Sequence, residues 1–122
     1  MDAEFSEEID QLQAASLRAL SSPHRVRLVH LLGDGPHDVT AIGLALGLGQ
    51  AATSQHLSAM RAAGLVEAHR DGRTVTYQLI DPDVATACGL MRAVLVRRLT
   101  RLGRAAAAVR SHQPRLPVET RR

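Results

Sequence analysis

The chain has 122 residues, is 45% hydrophobic and carries a formal charge of +3, which suits one compact domain or a domain that a partner completes. Its single cysteine, Cys88, excludes an intrachain disulfide and fits a reducing compartment. An acidic start without an apolar signal core, and no apolar run long enough to span a bilayer, predict a soluble cytoplasmic protein with no membrane partner.

All fifteen basic residues are arginine, and they are unevenly placed. Residues 1–20 carry five acids and one arginine; residues 21–87 carry five arginines and six acids; residues 88–122 carry nine arginines and one glutamate. The basic end reads as a partner for a polyanion or for an acidic segment, including the chain's own N-terminus.

In chain order, Phe5, Ile9, Leu12, Leu17 and Leu20 form a helical stripe over residues 4 to 20. Ser22-Pro23 restarts a helix, with Ser22 as N-cap and Pro23 in the first turn, where its missing N–H costs nothing. That second helix is expected to run to Leu32 with Val26, Val29 and His30 inward, and to end at Gly33-Asp34-Gly35-Pro36. A third helix starts near Asp38 as N-cap and carries Val39, Ile42, Leu44 and Leu46. Gly47-Leu48-Gly49 is a short turn, and a fourth helix over 50–63 stops at Gly64. The period then changes to two. Residues 65–70 and 73–80 flank Asp71-Gly72, a strong hairpin signal, with Arg70 opposite Arg73, Ala68 opposite Val75 and Val66 opposite Tyr77. Asp81-Pro82 opens a long last helix with Val84, Cys88, Met91, Leu95, Leu99 and Leu102 along one stripe. Residues 1–108 are therefore expected to form the folded domain, and residues 109–122 a basic, disordered tail.

The predicted fold is mainly α with a β-hairpin wing: a winged helix-turn-helix in the order α-α-α-α-β-β-α. In that geometry the start of the fourth helix enters a DNA major groove. Its residues are Gln50 and the polar run Thr53, Ser54, Gln55 and His56. Gln55 suits adenine bidentately, Ser54 a base or phosphate, the Thr53 methyl a thymine methyl, and His56 an acceptor on a phosphate or base. Leu57, Met60 and Ala52 form the opposite face. Arg70 and Arg73 at the hairpin tip, with His69 beside them, suit a phosphate backbone or a narrow minor groove. The competing reading is a solvated polar helix start without DNA contact.

The first and last helices carry apolar stripes that so small a domain cannot bury alone. Phe5, Ile9, Leu12, Cys88, Met91, Leu95 and Leu99 are therefore assigned to the interface of a homodimer, which sets two reading helices about one DNA turn apart.

The segments LSSPHRVRLVHLL, LALGLGQAATSQHLSAMRAAGLV and RDGRTVTYQL together resemble the ArsR/SmtB family of bacterial winged-helix repressors, over about residues 12–100. The resemblance implies a homodimer that binds double-stranded DNA at an inverted repeat and is released by an effector. Gln50, Thr53, Ser54, Gln55 and His56 match the family's reading helix; Gly49 stands where the family commonly has a serine N-cap. The family's thiolate site would need cysteines where Asp38 and Thr40 stand. Its site on the last helix keeps Asp81 but has Asp83, Val94 and Arg97 at the other ligand positions. The resemblance thus implies no standard metal site, and no cofactor is expected. His24, His30 and His37 read as structural or surface residues. His112 with the acidic N-terminus is a weaker arrangement for a terminal metal site. Cys88 reads as a small buried hydrophobe or, more sharply, as a thiol facing its dimer mate.

No glycine-rich phosphate loop, nucleophile–base pair or metal cluster is legible, so no enzyme is expected. The alternative to a repressor is a winged-helix interaction module that no longer binds DNA. Effector, operator and target genes have no signature in the residues.

Overall fold

The computed structural model describes residues 2–110. It contains five helices, α1 (Ala3–Ala19), α2 (Pro23–Gly33), α3 (Val39–Leu46), α4 (Gln50–Ala62) and α5 (Asp83–Arg110), and three strands, β1 (His37–Asp38), β2 (Val66–Asp71) and β3 (Thr74–Leu79). The chain falls into two compact units, one reaching Gly89 and the other starting at Leu90. Of the predicted tail, residues 109 and 110 continue α5, and residues 111–122, with His112, lie outside the described residues. No helix among the described residues is long and apolar enough to cross a membrane.

The helix ends follow from local chemistry. Asp2 caps α1, its Oδ1 accepting from Phe5 N–H at 2.8 Å, and Asp38 caps α3 in the same way from Ala41 N–H at 2.8 Å. Ser22 stands at the N-cap of α2 with extended backbone, but its hydroxyl makes no capping bond. The last turns of α3 and α4 close alike. Leu48 N–H donates to Gly43 O and Gly47 N–H to Leu44 O; Leu65 N–H donates to Met60 O and Gly64 N–H to Arg61 O. Gly47 (φ +69°) and Gly64 (φ +72°) supply the left-handed residue that this double closure requires. At the start of α5, Asp81 Oδ1 accepts from Asp83 N–H at 2.8 Å.

The core of the first unit is built from Leu28, Val29 and Leu32 of α2, Ile42 and Leu46 of α3, Leu57 and Met60 of α4, Leu65, Val66 of β2 and Leu79 of β3. The expected inward face of α2 is corrected by one step. Val26 and His30 are half-buried, while Leu28, Val29 and Leu32 are fully inside. On α3, Leu44 is 80% exposed, because two residues past Ile42 a helix has turned about 200° and points the opposite way. Val84, Ala85 and Cys88, at the start of α5, pack against this core.

The sheet has the order β1-β3-β2 and is antiparallel throughout. The strand β1 was not expected: two residues are too short for a period-two pattern. It pairs His37 with Tyr77 and Asp38 with Thr76, and so ties the start of α3 to the wing. The hairpin register also differs from the expectation. Asp71 pairs with Thr74, Arg70 with Val75, Ala68 with Tyr77 and Val66 with Leu79. The turn is therefore centred on Gly72-Arg73 rather than Asp71-Gly72. Gly72 has φ +62° and Arg73 a negative φ, the pattern of a turn with glycine at its first central position. The slip is by two residues, which preserves the faces: Val66 and Ala68 still share a side with Val75 and Tyr77.

Candidate nucleic-acid interface

On α4 the buried residues are Thr53, Leu57 and Met60, spaced four and three apart as one helical stripe requires. The polar quartet is split by this stripe. Ser54 and Gln55 are exposed, as is Gln50 one turn earlier, whereas His56 is half-buried. Thr53 is corrected outright: it is 0% exposed, and its methyl is not available to a thymine. Its Oγ1 donates back to Gly49 O at 2.8 Å, which satisfies the hydroxyl inside the fold. It packs where Gly43 of α3 has no side chain; a Cβ there would stand 3.1 Å from Thr53 Oγ1 and 3.0 Å from Leu48 O. Thr53 thus sets the approach of the two helices. The spacing of 53, 57 and 60 was the signal that placed it inward.

His56 is held from α2. Arg25 Nε donates to His56 Nδ1 at 3.1 Å, and Arg25 Nη1 donates to Ala19 O, the end of α1, at 3.2 Å. The His24 ring lies 5.5 Å from the His56 ring, centre to centre, at 47°. Burial first, then the charge of Arg25 and then His24, push the His56 pKa below its ordinary 6.5. Neither Arg25 nor His24 was read from the sequence as part of the site; a link 31 residues long has no local pattern.

This lowered pKa has a checkable consequence. The unfolded chain binds a proton at His56 at higher pH than the fold does, so the linked stability is complete above about 6.5. It is lost progressively as the pH falls from there through the lowered folded value. A urea-midpoint series from about pH 5 to 8 is expected to show this loss. His56→Gln, which keeps an acceptor but cannot titrate, should remove the His56 part of it; an unchanged profile would disprove the assignment.

The wing presents Arg70 and Arg73, both exposed, Arg73 at the turn itself. The other face of the hairpin carries Glu67, His69 and Gln78. Gln78 Nε2 donates to Glu67 Oε1 at 2.7 Å; His69 Nε2 lies 3.1 Å from the same oxygen and 2.9 Å from Gln78 Nε2. Hydrogen bonds from Gln78 and then His69 hold the Glu67 carboxyl below its ordinary range. His69 is therefore engaged within the wing, on the face opposite Arg70.

Of the residues expected at a dimer interface, Phe5 (47% exposed), Ile9 and Leu12 (58%) lie on α1, no residue of which is buried. In the second unit Met91 (60%), Leu95 and Leu99 (68%) are likewise exposed. Cys88 differs: it is half-buried against the core of its own chain, and burial pushes its thiol pKa up, which lowers the thiolate fraction that oxidation or metal binding would need.

Comparison with known proteins places this geometry. Residues 22–68, from the N-cap of α2 into the wing, match the family model described as bacterial regulatory protein, arsR family. The HTH-type transcriptional regulator Rv0081 of Mycobacterium tuberculosis is 34% identical over 96 residues, covering 78% of this chain and 84% of that protein. Its crystal structure superposes with a TM-score of 0.69 at 33% identity, over 76% of this chain and 94% of that one. The HTH-type transcriptional repressor SmtB of M. tuberculosis is 41% identical over 69 residues, 57% of this chain and 51% of its own length. A homodimeric winged helix-turn-helix DNA-binding domain, Mb0332 of Mycobacterium bovis, matches with a TM-score of 0.73 and 30% identity, over 83% of this chain and 93% of that one.

Proposed function

The chain belongs to the ArsR family of bacterial regulatory proteins, and from there we propose that it acts as a homodimeric, sequence-specific DNA-binding transcriptional regulator, a repressor seated on an inverted-repeat operator. Its work is binding and not catalysis. The observation that carries the reading is the split surface of α4: Thr53, Leu57 and Met60 anchor the helix while Gln50, Ser54 and Gln55 stand free at its N-terminal half, where a reading helix meets base edges. Arg70 and Arg73 of the wing reach the phosphates. The exposed apolar residues of α1 and of the second unit are what a second copy would cover, and the similar Mb0332 domain is a homodimer. As a regulator of transcription the protein works in the cytoplasm. No metal or cofactor enters this reading.

Selection from a random duplex pool, followed by footprinting, tests it. Enrichment of an inverted repeat with half-sites about ten base pairs apart is expected; a pool that stays random would overturn the reading. On the selected duplex, replacing Arg70 and Arg73 together with alanine should weaken binding to all sequences. The double replacement takes two guanidinium groups off the phosphate backbone in each subunit, so the slope of log affinity against log salt should flatten by roughly 3 to 4 for the dimer. A slope that does not move takes the wing off the backbone.

A further inference from the structure

We propose that Arg25 is a positioning residue of the reading helix: it fixes His56 with its proton on Nε2, so that this histidine offers DNA a hydrogen-bond donor and no acceptor. The inference rests on α4 being the helix that reads DNA.

The argument is one of donor and acceptor inventory. A guanidinium has only N–H donors and stays protonated. The 3.1 Å contact from Arg25 Nε therefore requires a lone pair on His56 Nδ1. A neutral imidazole has one proton, and it must then sit on Nε2. The arginine is not free to drift away, because its Nη1 is bonded to Ala19 O at the end of α1. The guanidinium bridges three helices, with His56 the only partner on α4. No buried polar side-chain atom among the described residues lacks a hydrogen-bond partner, and no bond to His56 Nε2 is found there, so Nε2 is not sealed from solvent on this half-buried side chain. The lowered pKa agrees, since protonating Nδ1 would break the arginine bond and set two cations together.

The chemistry this reads is an acceptor: guanine N7 or O6, adenine N7, thymine O4, or a phosphate oxygen. The cytosine amino group, itself a donor, is refused. A histidine free to change tautomer would make no such distinction. Arg25 thereby removes one ambiguity from the recognition surface without touching DNA.

The test uses the full chain labelled with 15N-histidine and the duplex selected by the wild-type protein. Long-range 1H–15N spectra should show His56 as the Nε2–H tautomer. In Arg25→Met the tautomers should mix and the His56 pKa should rise towards 6.5. That variant should bind the selected duplex about tenfold more weakly, His56→Ala similarly, and the double variant no worse than either alone. Arg25→Lys, which keeps charge and donor, should restore part of the loss. Selection repeated with His56→Ala identifies the acceptor: lost preference at one position per half-site marks a base edge, and uniform weakening marks a phosphate. A wild-type His56 protonated on Nδ1 overturns the proposal without any variant having to fold. So does full multiplication of the two single effects. Should Gln55→Ala and the wing variants also leave binding untouched, it is the DNA reading of α4 itself that has failed.

Discussion

Gln55→Ala is expected to cost the operator complex about 5- to 150-fold in affinity for each reading helix engaged, since a bidentate amide–adenine pair discriminates by about 1–3 kcal/mol. With two copies on one inverted repeat the loss approaches the square of that figure. Gln55 is exposed and makes no hydrogen bond found among the described residues, so its removal should leave thermal stability and the dimer unchanged. It is also uncharged, and the salt dependence of the remaining binding should therefore match the wild type. Titrations of the selected duplex and of a scrambled duplex at two salt concentrations would separate these effects. If Gln55→Ala keeps the wild-type ratio between the two duplexes, the outward face of α4 does not read sequence.

Gly43→Val should have the largest effect on folding. The new Cβ would lie 3.0 Å from Leu48 O and 3.1 Å from Thr53 Oγ1. The oxygen is backbone, in the turn between α3 and α4, so little can move aside. Overpacking of this kind costs about 1–3 kcal/mol or more, against a total stability of about 5–15 kcal/mol for a domain of this class. A lower urea midpoint is expected, together with weaker DNA binding in whatever fraction stays folded, because the two helices are forced apart. Adding Thr53→Ala removes the Oγ1 contact and should return part of the loss. Strict additivity of the two changes would mean that Gly43 and Thr53 do not meet.

Much of this architecture was legible because strong local signals agreed with each other. Asp38 before an apolar stretch, Gly47 and Gly64 after one, and Ser22-Pro23 between two stripes all marked helix ends that the fold keeps. The hairpin was legible in its existence and its faces but not in its register. Asp-Gly is a good pair for the centre of a turn, yet Gly72-Arg73 serves as well when the glycine comes first, and only the pairing of Val66 with Leu79 inside the core decides between them. The candidate interface was legible in composition and incomplete in geometry. Four adjacent polar residues on a helix must span most of its circumference, so one of them had to point inward. Thr53 took that place because its hydroxyl can bond Gly49 O one turn back and its small bulk fits over Gly43. Arg25 stayed hidden for another reason: its meaning lies in a partner on a distant helix.

The seating of Thr53 over Gly43 also bears on how copies of this chain could diverge. A side chain committed to the seam between two helices is not free to drift when a new target is favoured. If α4 reads DNA as proposed, changes at the exposed positions 50, 54 and 55 would rewrite the preferred site while the scaffold stands. A change at 53 would register first as a loss of soluble protein, and lineages that acquire new targets should vary at the former positions and stay small at the latter.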